Sequence, residues 1–301
     1  MDQLQIVKRT SSGLNVQGAF DLSRNPNLLH NWDFTNPINQ RGASSYLSTS
    51  GEIPTIDRWR AGANMKVELV SGGVKLTGLS NTYRAFRQTI ENPERLAGKR
   101  VTVALNILAC TGKCSSYFVY PNGTNGTTST GAVIEAGTTG IRKFSVTLPS
   151  ASDMGDTLKF HIGNSSEVGA AITLASVKLE IGDVCTLKDT DVADFGEQEM
   201  ICQRYLVPIS ASQRFRLTSY TADVLQFHIP TPQRMRALPT VEDTSGLSIR
   251  TLNITTTNIP ISSVEVLRRD PDVFLRVTAP SHGLTDCLLY ANSATFLNAE
   301  L

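Results

Sequence analysis

The stretch ITLASVKLEIGDVCTLKDTDVADFGEQEMICQRYL, residues 172–206, decides the reading of the fold, because two kinds of structure meet in it. In its first half Val177, Leu179 and Ile181 alternate with Lys178 and Glu180. That is the period-two pattern of a half-buried strand, and Gly182-Asp183 ends it. A polar connector follows, with acidic residues at 183, 189, 191, 194 and 197. Glu197, Met200, Ile201 and Tyr205 then stand at i, i+3, i+4 and i+8, which predicts a short helix packing the connector before a second β-region begins.

Upstream of this stretch, strand signals recur at the spacing of a sandwich. MKVELV (65–70) and GVKLTGL (73–79) predict a hairpin around Ser71-Gly72-Gly73. In YRAFRQTIEN (83–92) Phe86, Gln88 and Ile90 share one face, and Tyr83, Ala85 and Arg87 the other. Val101, Val103, Leu105 and Ile107 alternate with polar or small residues, and CSSYFVYPNG, IRKFSVTLP and LKFHIG continue the series. PNGTNGTTSTG (121–131) has no apolar anchor and reads as an exposed loop. No stretch before 190 demands a helix.

Downstream, ADVLQFHIP, LSIRTLNITT, SSVEVLRR, DVFLRVTAP and LYANSATFLNAEL read as further strands. Prolines at 230, 232 and 239 make the segment between the first two an edge or irregular. The predicted architecture is all-β: two β-sandwich, jelly-roll-like domains over 28–185 and 186–301. A short helix joins them and a short N-terminal arm, 1–27, precedes them. That arm, with one alternating segment and a turn-rich TSSGLNVQG, suits either disorder or docking against another chain.

Composition narrows the function. The chain has 301 residues, 40% hydrophobic and 18% charged, enough for two ordinary domains. A net charge of +1 gives no field able to gather nucleic acid or an anionic membrane. No apolar run approaches a membrane span, and MDQLQIVKRTSSG lacks the apolar region of a signal peptide, so synthesis in a cytoplasm is expected. Cysteines at 110, 114, 185, 202 and 287 form no disulfide rhythm, and Cys110-x3-Cys114 has no second pair, so free thiols are expected rather than zinc.

No catalytic constellation emerges. The histidines at 30, 161, 228 and 282 lack the partners of a triad or a metalloprotease helix. His161 shares a strand face with Lys159 and reads as solvent-facing. The connector acids lack the glycine and terminal glutamate of a calcium loop and read as solvated charge. A glycosidase pair of carboxylates assembled from distant strands stays open. Function therefore falls to the surface, where exposed aromatics and planar polar groups on a rigid sandwich can hold sugars. In SYFVYPNG one of Tyr117 and Tyr120 must face outward, and Tyr83 and Arg87 share the less apolar face of their strand. These four are the candidate ligand-binding residues; cross-strand packing is the alternative for each. Trp32, Phe34 and Trp59 read as core plugs rather than sugar platforms.

Three stretches taken together resemble bacteriophage tail-fibre and receptor-binding proteins. They are NLLHNWDFTNPINQRG with a downstream DRW; VKLEIG with FGEQE and CQRY; and Pro232 to Thr240, PQRMRALPT, with a terminal AEL. The first is similar to the opening of jelly-roll modules akin to carbohydrate-binding modules. The resemblance implies a fibre or tip component of a virion or tail-like particle, assembled in a bacterial cytoplasm. It implies a homotrimer, attachment to other particle proteins through the arm, and non-catalytic binding of a bacterial surface glycan. It implies no cofactor, with structural calcium near Asp33 or Glu180 as a possibility. Two alternatives stay open: a purely structural collar, head-fibre or decoration protein, and a glycan depolymerase.

Overall fold

Ala171–Ile181 is a long strand, but it is buried on both faces rather than one. In the computed structural model Ile172, Leu174, Val177 and Leu179 enter the core while Lys178 and Glu180 on the opposite face are buried too. The structure describes all residues except 1–3, 11–12, 21–25, 82–84, 122–126, 156, 165–166, 252–258, 260, 270–271, 280–286 and 301. What covers the outer face is the connector. Lys178 Nζ donates to Thr186 Oγ1 at 2.8 Å and lies 3.0 Å from the Glu180 carboxylate, which accepts from the Thr186 amide and hydroxyl. Cys185 and Leu187 pack on Ala104, and Lys143 Nζ donates to the Cys185 carbonyl at 2.6 Å. Burial works against ionisation of Glu180, yet hydrogen bonds from Cys185, Lys178 and Thr186 outweigh it and hold the carboxyl below its usual range. Residues 185–187 of the connector are thus bound cover, while its acids at 183, 189, 194 and 197 are exposed, as solvated charge should be.

Two strands, β1 (Leu4–Thr10) and β2 (Gly13–Phe20), form an antiparallel hairpin that is a sheet of its own among the described residues. The segment read as turn-rich is mostly strand. The first sandwich follows with β3 (Ser45–Ser48), β4 (Ile53–Pro54), β5 (Arg60–Ala61), β6 (Met65–Val70), β7 (Gly73–Gly78) and β8 (Phe86–Ile90). It continues with β9 (Arg100–Cys110), β10 (Cys114–Pro121), β11 (Thr127–Ile134), β12 (Gly140–Thr147), β13 (Leu158–Asn164) and β14 (Ala171–Ile181). The 6–7 hairpin closes on Ser71-Gly72, with Gly72 at φ 77°, as its turn chemistry predicts. Part of the expected loop 121–131 is instead β11, paired along β10. Among the described residues, the short helix α1 (Ala151–Met154) and a 3-10 turn, Pro93–Leu96, are the helical pieces before the connector.

Two six-stranded sheets result, in the orders β11-β10-β13-β8-β5-β4 and β12-β9-β14-β7-β6-β3. Their inner faces share one core, with Trp59 stacked on Phe86 at 4.6 Å and Phe34 edge-on to Trp59 at 5.3 Å. Residues 27–34 seal this core. β14 pairs with β7 only over Ala171–Leu174; beyond that, Phe34 donates to the Ala175 carbonyl, Val177 to that of Trp32, and Leu28 to that of Leu179. Buried Gln88 on the other sheet grips the same segment, accepting from the His30 amide and donating to its carbonyl, both at 2.8 Å. Trp59 Nε1 donates to the Asn31 carbonyl at 3.0 Å. Phe34 and Trp59 are core plugs, as expected, while Trp32 is half-buried beside them.

The connector leads into α2 (Phe195–Gln203), capped by Asp194 accepting from the Glu197 amide. Its buried residues are Gln198 and Cys202, whereas Met200 is exposed, so the helix turns a different stripe inward from the one expected. The reason is local: Gln198 Oε1 accepts from the Asn31 amide at 2.7 Å. Strands β15 (Leu206–Ile209), β16 (Arg214–Tyr220), β17 (Val224–Ile229), β18 (Thr240–Val241) and β19 (Leu247–Thr251) follow. Then come β20 (Ser263–Arg269), β21 (Asp272–Thr278), β22 (Cys287–Ala291) and β23 (Thr295–Asn298). A three-stranded sheet, β15-β23-β18, packs on a six-stranded one, β19-β22-β16-β17-β21-β20, around a second apolar core. Neither β15 nor β16 is expected from the sequence. Pro208 in LVPI argues against a strand, but β15 is an edge, where proline is tolerated. The fold is all-β, built from β-sandwiches.

The two cores meet at Arg58. This residue adopts a left-handed backbone, φ 69°, and its guanidinium lies 3.6 Å over the ring of the fully buried Tyr205. Its amide donates to Glu300 Oε1 at 2.9 Å, and Nη2 donates to the Thr89 carbonyl at 3.1 Å. Tyr205 donates its hydroxyl to Glu91, which also takes Arg236 Nε at 2.6 Å. Arg41 pairs with Glu242 at 2.8 Å, and Gln40 Nε2 donates to the Leu206 carbonyl at 3.0 Å.

Two outcomes test this architecture. Arg58→Ala keeps the backbone amide that holds Glu300 but removes the stack on Tyr205 and the bond to the Thr89 carbonyl, so chemical denaturation should show a loss of about 2–4 kcal/mol. Arg100→Ala, which breaks an exposed pair with Asp183, should stay within about 0.5 kcal/mol of the parent. An Arg58 loss no larger than the Arg100 one would show that the junction is not fastened here. All five cysteines are buried free thiols, and burial pushes the Cys185 thiol up to about 12. Reducing agent should therefore leave Tm unchanged, and a fall on reduction would reveal a disulfide, with Cys110 and Cys114 the neighbouring pair.

Candidate functional site

Three central strands of the first sheet, β8, β10 and β13, position the surface of interest. Alternation sends Phe86, Gln88 and Ile90, Phe118, and Leu158, Phe160 and Ile162 into the core. It sends Arg87, Tyr117, Lys159 and His161 to the other side. Register then aligns them: Tyr117 stands opposite His161, His161 opposite Arg87, and Arg87 opposite Arg60 on β5. The next row holds Val119, Lys159 and Thr89.

The first row is tightly built. The Tyr117 and His161 rings lie 5.1 Å apart at 49°, and these two residues are only 8% and 1% exposed. Glu52 bridges the cations, with Arg60 Nε at 2.5 Å from one carboxylate oxygen and Arg87 on the other. The Arg87 side chain keeps 16% of its surface in solvent, and Lys159 is half-buried. Burial, then the charges of Arg87 and Lys159, lower the His161 pKa to about 3, so its imidazole is neutral at physiological pH. Burial also lowers the pKa of Lys159, helped by Arg87 and Arg60. Chemically, the face offers forked and point-charge donors beside an aromatic pair.

Of the residues singled out in the sequence, Arg87 and Tyr117 lie on this face with His161 between them, but Tyr117 is buried against its neighbours rather than exposed as a ligand platform. Tyr120 does not lie there: it shares the parity of Phe118 and packs, half-buried, against the sandwich core. Tyr83 lies outside the described residues. His161 is buried rather than solvent-facing, because Tyr117 and Arg87 close over it from the adjoining strands. Arg60, Glu52 and Lys159 escaped sequence reasoning as members of the face. Alternation places Lys159 on one side with His161, but only the strand order shows which strand lies next to theirs. Asp33 and Glu180 are engaged by the protein itself, Asp33 accepting from Thr35 and Ala193. Among the described residues no cluster of three or more His, Cys, Asp or Glu is arranged to hold a metal.

No protein-family model and no curated protein matches this chain. Among solved structures it is similar to the N-terminal CBM22-1–CBM22-2 tandem domain of Paenibacillus barcinonensis Xyn10C. That match has 11% identity and a TM-score of 0.36, and covers 92% of this chain and 96% of the other. It is similar to the CBM22-2 xylan-binding domain of the same protein, at 18% identity and a TM-score of 0.34, covering 42% of this chain and 92% of that one. It is also similar to the enzymatically active domain of bacteriophage CBA120 tailspike protein 4. There the identity is 16%, the TM-score 0.32 and the coverage 52% of this chain and 21% of that one. Likenesses this weak carry no inference about ligand or ancestry.

The buried histidines set a pH dependence. His30, like His161, is depressed to about 3, by burial and then by Arg58, Arg204 and Arg236. The unfolded chain protonates both near 6.5, so the stability they confer is complete above that pH and is lost as pH falls towards 3. Asp57, raised by burial to about 6, acts with the opposite sign, gaining stability on acidification, but it is one group against two. Tm should therefore fall on going from neutral pH to pH 4. His161→Gln should flatten the slope; an unaltered slope would show that His161 is not held neutral by the fold.

Proposed function

We propose that this chain is a fibre or tip component of a phage-type particle that holds a bacterial surface glycan without cleaving it. The observation that carries the reading is that Arg87 and Tyr117 share one outward row of a rigid sandwich sheet, with His161 between them. Arg87, with part of its side chain in solvent, offers a planar donor for sugar hydroxyls, and the buried Tyr117–His161 pair stiffens the sheet beside it. The resemblance of the three sequence stretches to phage fibre proteins supports the particle role. The β1–β2 hairpin, with no sheet partner among the described residues, suits an arm that docks on another chain. In this reading 1–27 attaches, 28–185 recognises, and 186–301 completes the body within a homotrimer.

A shallow face binds weakly, at about millimolar to high-micromolar Kd per site, and triple display supplies avidity. The protein is incubated with host cells and with their isolated surface polysaccharide, and its mass is read by light scattering. Retention on cells with polymer length unchanged and a trimeric mass is expected. Shortened polymer would make it a depolymerase, and no retention on any cell would make it a structural collar or decoration protein.

A further inference from the structure

The outward face is short of negative charge. Arg60, Arg87 and Lys159 project from neighbouring strands, and Glu52 is the carboxylate that bridges two of them. Arg60 also lies 3.8 Å from Glu300, but that carboxylate is shared with Arg41 and with the Arg58 amide. Lys159 has no ion pair among the described residues, and the cations it feels are Arg87 and Arg60. Arg87 Nε is buried without a hydrogen-bond partner. The sequence deepens the imbalance. Residues 79–90, 114–134 and 157–166, the stretches that build the three central strands and β11, contain Arg84, Arg87 and Lys159 and not one Asp or Glu.

Such an arrangement is costly for the protein alone. Three cations on one half-buried surface repel one another, and an unused guanidinium donor forfeits a hydrogen bond. An anion supplied from outside relieves the repulsion, and the part of the Arg87 guanidinium left in solvent can donate to an oxygen of a carboxylate or phosphate.

We propose that this face binds an anionic polysaccharide, whose acidic groups sit against Lys159, Arg87 and Arg60 beside the Tyr117–His161 pair. This rests on the glycan-binding reading and names the ligand class within it. A carboxylate and a phosphate share the chemistry, so the source is an arm of the test. Glu52 competes with the ligand for Arg87 and Arg60, and its removal favours binding.

The full chain is titrated, by calorimetry, with polygalacturonate, with a phosphate-bearing teichoic acid, and with neutral dextran, alongside cell retention. At least one acidic polymer should bind and dextran should not, and which acidic polymer binds names the source. Raising salt from about 50 mM to about 500 mM should weaken binding steeply. Lys159→Gln and Arg87→Gln should each weaken it roughly tenfold. Glu52→Gln should tighten it, a gain that a merely structural role would not produce, and Tm of each variant reports folding. Dextran binding as well as the acidic polymers would overturn the anionic assignment and leave glycan recognition standing. Failure of all polymers together with absence from cells would remove the reading beneath it. Acidic binding that survives Lys159→Gln, Arg87→Gln and Glu52→Gln unchanged, but is lost in Trp32→Ala, would move the site to the half-buried Trp32 and overturn this face.

Discussion

The guanidinium of Arg58 lying on the ring of Tyr205 is the contact on which the arrangement of the two cores depends. Neither side chain is explained by its own half of the chain. A left-handed backbone at a non-glycine residue is unfavourable, and a buried guanidinium is more so, since burial works against its charge. Both are tolerated because the site is over-determined. The tyrosine ring covers one face of the cation, Glu300 fixes its backbone, and the Thr89 carbonyl takes one of its donors. Around it Glu91 joins Tyr205 to Arg236, and Glu242 holds Arg41.

This junction also explains what the three recognisable stretches are for. Asn31, Gln40 and Arg41 come from the first, Asp57, Arg58 and Trp59 from its downstream partner, Tyr205 from CQRY, Arg236 from the proline-spaced segment and Glu300 from the final turn. Far apart in sequence, they converge on one seam. Gln40 binds both Asp57 and the Leu206 carbonyl, and Trp59 donates to the backbone of 30–31. These identities are demanded by fastening two sandwiches together. What the resemblance transmits most directly is therefore an architecture, and the ligand must be sought on surfaces that the motifs do not reach.

That division sets how far the sequence could be read. Strands with clean alternation, such as Val101 to Ile107 or Phe86 to Ile90, announce their inward faces because one set of residues is apolar. Tertiary cover is invisible to the same reasoning. Nothing in KLEIGDVCTLK says that Thr186 returns to Glu180 or that Leu187 seals Ala104, so a doubly buried strand looks half-exposed. Edge strands hide as well, since β15 carries a proline that a central strand would not. On the candidate face, alternation alone puts Arg87 on one side of its strand and His161 on that of Lys159. It cannot say that β13 lies between β8 and β10, and only that order turns separate polar residues into a row.

The contrast between seam and face gives the charge imbalance its meaning. At the seam Arg236 pairs with Glu91 and Arg41 with Glu242, while the Arg58 guanidinium feels the charges of Glu300 and Glu91 and its amide donates to Glu300. Even Lys178, under the connector, sits 3.0 Å from Glu180. The chain thus supplies carboxylates wherever burial makes an unpaired cation expensive. On the sheet β11-β10-β13-β8-β5-β4 one carboxylate, Glu52, serves Arg60 and Arg87 together, and Lys159, partly withdrawn from water, has no ion pair among the described residues. Packing needs do not account for the omission, because the inward residues of the same strands hold the core by themselves. A surface that stays electrostatically incomplete in an otherwise well-compensated protein is one whose counter-charge comes from elsewhere, and Arg60 ties it to the seam through Glu300.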